Sequence, residues 1–226
     1  MNKTEQLNEL FDEWKQKEFD GKKFEIFCED GIVDEIEFEN QNLKVAFLLK
    51  DANAEKPEES NVRNNLLNTA NEESNFGKMW KVLCMWKRIT EDPNISFKDC
   101  CDEKFEIDMS MCKYLKKIAV VNLAKEHGKG VNNQDELNNK LAKAVKQYYD
   151  YTQKELDIIE PDIVVCCGTY YHIRDQYENC DEITLPSGAK YFTNDKTKFV
   201  EMYHPGSYTG YPVLFAYFKE VYSNLK

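Results

Sequence analysis

Several polar side chains in this chain stand directly behind short apolar runs. Asp51 and Asn53 follow Leu43–Leu49, Asn122 closes Ile118–Val121, Thr169 follows Asp162–Gly168, and His204 follows Phe199–Tyr203. A carboxylate and an imidazole are the side chains of acid–base chemistry, while amides and hydroxyls hold the polar edges of ligands. Each position also has an ordinary structural explanation. An Asp at a strand end forms turns or caps helices, and an Asn there satisfies loop backbone. His204 stands out more, as one of three histidines and because Pro205 fixes its exit from the run.

The elements that must position these residues are legible from periodicity. Leu43–Leu49, Ile118–Leu123, Asp162–Gly168 and Phe199–Tyr203 are short, nearly continuous apolar runs, as in buried parallel strands. Helical spacing marks Leu7, Leu10, Phe11 and Trp14, with Thr4 as the expected cap, and the stretch around Trp80–Trp86. A long helix is expected over 134–159, stopped before Pro161, and a closing helix opens at Pro212. A hairpin is expected over 183–193 around Pro186-Ser187-Gly188, and Asp30-Gly31 reads as a turn signal within a weak hairpin or an irregular lead-in over 23–38. Residues 54–75 are polar and 90–112 resemble an insertion. The expected fold is a single α/β domain over 1–226, a three-layer sandwich with a central, mostly parallel sheet and an insertion around 54–112. In such sheets ligands bind at the carboxyl ends of the strands, where Asp51, Asn53, Asn122, Thr169 and His204 would gather.

Composition narrows the function classes. The chain has 226 residues, 42% hydrophobic content and a formal net charge of −11, enough for one full core but adverse to phosphate backbones. Lys113, Lys116, Lys117, Lys125 and Lys129 gather in one segment as a candidate basic face, for which a solvated surface is the simpler explanation. No apolar run of membrane-spanning length or signal core is present, so a cytoplasmic protein with reduced thiols is expected. Cys84, Cys100, Cys101 and Cys112 lack a Cys-x-x-Cys pair, and His127 and His172 lack ligand-like spacing, so no metal or other cofactor is expected. Tyr170, Tyr171, Tyr191, Tyr203, Tyr208 and Tyr211 are mostly core material, with Tyr208 and Tyr211 the best placed to stack on a ligand behind His204.

Taken in order over residues 43–225, these segments resemble the uracil-DNA glycosylase superfamily. Leu49-Lys50-Asp51-Ala52-Asn53 matches its first motif, Asn122 its base-reading strand end, Pro161-Asp162 through Gly168-Thr169 its next strand, and Tyr203-His204-Pro205-Gly206-Ser207 its last motif. The resemblance implies hydrolysis of the N-glycosidic bond of a flipped-out base. Asp51 would handle water or the sugar cation, Asn122 the base, and His204 the departing base, with Asn53, Thr169, Ser207 and Tyr208 lining the substrate. The chain departs from the pattern at Lys50, where the family often has Gly, in lacking the following Pro, and in reading His-Pro-Gly-Ser for His-Pro-Ser. DNA or a nucleotide is the implied ligand. A retasked nucleotide- or small-molecule-binding domain, favoured by the acidic charge, and an interaction module are the alternatives.

Overall fold

A computed structural model describes residues 1–19, 21–52, 60–74, 76–102, 106–126 and 134–225. In chain order the elements are α1 (Lys3–Trp14), β1 (Glu18–Phe19), β2 (Lys22–Lys23), β3 (Gly31–Ile32), α2 (Glu35–Glu39), β4 (Val45–Asp51), α3 (Val62–Glu72), α4 (Lys78–Glu91), β5 (Ala119–Ala124), α5 (Gln134–Ile159), β6 (Ile163–Cys167), α6 (Tyr170–Ile173), β7 (Glu182–Thr184), β8 (Lys190–Asn194), β9 (Thr197–Met202) and α7 (Tyr211–Ser223). Two 3-10 segments, Phe97–Cys100 and Met109–Lys117, connect α4 to β5.

The main sheet has seven strands in the order β3-β5-β4-β6-β9-β8-β7. Its four inner strands, β5, β4, β6 and β9, run parallel, and both margins are antiparallel. Every residue of β5 and β6 is buried, because helices cover both faces. That is why these strands read as unbroken apolar runs rather than alternating ones. On one face α1 and α5 close over Ala46, Leu48, Val121 and Val164. On the other, α3, α4 and α7 pack on Val45, Phe47, Leu49 and Val165. Leu66, Trp86 and Met111 belong to this second cluster, so the described part of the segment read as an insertion builds a layer of the domain.

Three local expectations are corrected. The cap of α1 is Asn2, not Thr4: Asn2 and Glu5 form a reciprocal capping box, while the Thr4 hydroxyl donates to Glu35 at 2.5 Å. Asp30-Gly31 does not turn a hairpin. Gly31 opens β3, which pairs antiparallel with β5, at a φ of +105°, and a Cβ there would lie 2.9 Å from Leu7 Cδ1. A Gly in an otherwise irregular stretch signals a turn and a close backbone approach equally well, and here tertiary contact with α1 decides. Lys125 belongs to no basic face. It is 2% exposed and paired with Asp30 and Glu155; Lys129 lies outside the described residues.

The hairpin expected around Gly188 is β7–β8, with Gly188 at a φ of +87°. All eight cysteines are free thiols, and burial raises most of them; Cys28 is pushed up to about 12. Among the described residues no helix is long and apolar enough to cross a membrane, and no group of three or more His, Cys, Asp and Glu could hold a metal ion.

Candidate functional site

Parallel register puts the ends of the four inner strands on one edge of the sheet. Asp51 lies opposite Ala124, Leu48 opposite Cys166, and Cys167 opposite Met202. The chain leaves that edge at Asp51, Gly168 and Tyr203-His204. Convergence here extends to side chains: a Cβ built on Gly168 would lie 3.2 Å from Lys50 Cε and 3.6 Å from His204 Cβ. Gly168 has a φ of +71°, so glycine supplies both the turn and the space in which Lys50 and His204 approach.

His204 is held in one tautomer. Its Nδ1 accepts the Gly206 N–H at 3.1 Å, so the neutral ring carries its proton on Nε2 and presents a donor there. The extra glycine of His-Pro-Gly-Ser has a role in this: a Cβ on Gly206 would lie 3.2 Å from both Cε1 and Nδ1 of the ring. Burial, reinforced by Lys50 and only partly offset by Asp51, draws His204 down to about 4. At neutral pH the imidazole is an uncharged hydrogen-bond donor. Lys78 fixes the loop beyond it by donating to the Ser207 carbonyl and to the Thr209 carbonyl at 2.8 Å.

Asp51 faces a cation from another layer. Lys140 of α5 lies 3.2 Å from its Oδ2, with both side chains 17% exposed, and Lys140 also donates to the Glu126 carbonyl at 3.0 Å. Thr169 is fully buried and its hydroxyl donates to the Leu48 carbonyl at 2.9 Å, which ties α6 to β4. The Ser207 hydroxyl oxygen is buried with no partner among the described residues. Tyr208 is fully exposed, and Asn53 lies outside the described residues.

Asn122 sits inside the edge, opposite Leu49, and is 2% exposed. Its backbone N–H and side-chain Nδ2 both donate to Asp30 Oδ2, at 2.7 and 2.8 Å. On the N-terminal side of Gly31 the backbone pairing with β5 lapses, and it returns where Cys28 N–H reaches the Lys125 carbonyl at 2.7 Å. The Asp30 carboxylate fills that gap. Lys125 bridges Asp30 to Glu155 of α5, at 2.7 Å from Glu155 Oε2. Asn122 Oδ1 is left buried without a partner among the described residues.

Sequence patterns therefore found Asp51, Gly168-Thr169 and His204 at one edge but not Lys140, His172 or a role for Lys50. His172, the third residue of α6, is half-buried, and burial together with the Lys50 charge lowers its pKa. Nothing in the local spacing of Lys140 signals its contact with Asp51, which α5 makes by packing across the strand ends. No protein-family model and no curated protein matches the sequence.

Proposed function

We propose that the strand-end site hydrolyses the N-glycosidic bond of a modified base in nucleic acid, as in a divergent uracil-DNA glycosylase-like enzyme. The observation that carries this reading is His204: a neutral imidazole, locked with Nε2–H as donor, on the same sheet edge as the Asp51 carboxylate. In glycosidic hydrolysis the C1′–N bond breaks, its electron pair leaves with the base, and water adds to C1′ while one water proton ends on the departing base. A neutral imidazole donor stabilises the negative charge on the departing base without an ionised partner, and the Asp51 carboxylate faces the sugar cation and orients the water. Asn122 Oδ1 is a buried acceptor two residues in register from the Asp51 pair, and it suits an N–H on the base edge.

A second reading, a nucleotide-binding domain of similar fold without turnover, is favoured by Asn122, whose Nδ2 is committed to Asp30. One experiment separates the two. Duplex and single-stranded DNA carrying uracil, hypoxanthine, xanthine or alkylated bases is incubated with the protein and assayed for abasic sites. Abasic product that falls about a hundredfold or more in Asp51→Asn and in His204→Ala supports hydrolysis at this site. Ligand binding with no abasic product from any substrate replaces it with the second reading, and turnover unchanged in both variants removes the site.

A further inference from the structure

We propose that Lys50, which meets His204 over Gly168, is a phosphate-binding site that takes the phosphate group of a nucleotide ligand. The nucleotide part rests on the function proposed above; the phosphate part does not.

Lys50 is the penultimate residue of β4, and its stem runs over the bare face of Gly168 toward His204. The charges at this edge are unequal. Asp51 is matched by Lys140, whereas among the described residues no carboxylate lies within 4.0 Å of the Lys50 ammonium. In a chain of net charge −11, a half-buried lysine beside the His204 imidazole and, among the described residues, without a paired carboxylate stands out. Its field disfavours charge on both rings, so within this group it opposes rather than satisfies its neighbours. An anion reverses that relation: it pairs with the ammonium and accepts from His204 Nε2–H. A phosphate suits the arrangement because lysine binds it as a compact point charge while neutral donors complete its oxygens.

The test is titration with inorganic phosphate at neutral pH and constant ionic strength, set by chloride. The imidazole proton resonances of His172 and His204 report the response, assigned with a His→Asn variant at each position. In parallel, calorimetry compares deoxyuridine monophosphate with deoxyuridine. Phosphate is expected to shift the His204 resonances saturably, and the monophosphate to bind about tenfold or more tightly than the nucleoside. Lys50→Met, which keeps the stem, should lose both effects, and Lys50→Arg should keep them. A wild-type protein with no saturable response overturns the proposal. So does an equal response in Lys50→Met, or an equal affinity for nucleoside and monophosphate. Abasic product without a phosphate response leaves the proposed reaction and sinks the phosphate site; a Lys50-dependent response without abasic product does the reverse.

Discussion

His204 is the residue whose chemistry is most constrained by its surroundings. Its ordinary value of 6.5 falls to about 4 in the fold, chiefly through burial and then through Lys50. Between those values the unfolded chain binds the proton and the folded one does not, so the residue weakens the fold progressively as pH drops from about 6.5 to about 4 and has no such effect above that window. Thermal unfolding of wild type and His204→Asn at a series of pH values should therefore show wild type losing stability relative to the variant across that interval. Parallel pH profiles would contradict the assignment of a buried neutral imidazole. Turnover that depends on the neutral ring should likewise persist below pH 6.5 and fail only as pH approaches about 4, where the ring takes a proton.

Among the elements, the turn after β6 and the buried polar link beside β5 carry the arrangement. Gly168→Ala would place a Cβ in the left-handed region, 3.2 Å from Lys50 Cε. A loss of about 1–2 kcal/mol in urea unfolding is expected, with displacement of Lys50. The Asp30–Lys125–Glu155 link joins β3, β5 and α5 with one ammonium between two carboxylates, and all three side chains are fully buried. One ammonium cannot neutralise two carboxylates away from water, and burial together with Asp30 raises Glu155 well above its usual range. Asp30 in addition accepts from Asn122 twice. Asp30→Asn should accordingly cost about 3–5 kcal/mol in urea unfolding, as for a broken buried pair, while Glu155→Gln stays within about 1 kcal/mol of wild type. Equal losses would mean that Asp30 and Glu155 share the charge evenly.

On the scale of the whole molecule, charge sets what the protein can hold. The net charge of −11 is not offset by the candidate basic face, because Lys125 is buried in the polar link and Lys117 pairs with Glu91 at 3.0 Å. Binding to unmodified duplex DNA should therefore be weak at physiological salt, with a Kd on the order of 10⁻⁵ M or weaker by fluorescence anisotropy. Submicromolar binding to plain duplex would contradict it. Under the proposed function, any tighter association comes from one group seated at the strand ends, beside Lys50 and His204.

The amino-acid sequence by itself determined the four inner strands, the long helix α5 and the closing helix. Continuous apolar runs of strand length and 3.6-residue spacing are local properties, and helices on both faces of a sheet leave a pattern that survives without coordinates. It also determined that Asp51, Gly168-Thr169 and His204 follow strands, and parallel strands bring such residues to one edge. Only the tertiary structure decided what each of them does there. Lys140 reaches Asp51 from a helix 89 residues away in sequence, Asp30 occupies Asn122 across the gap left by β3, and Thr169 spends its hydroxyl on β4. Lys50 lies against Gly168 on the side of His204, and Lys125, expected on a basic face, is buried. Hydrogen bonding and charge pairing act over a few ångströms, between residues whose order in the chain says nothing of their distance, so burial and partners follow from packing alone.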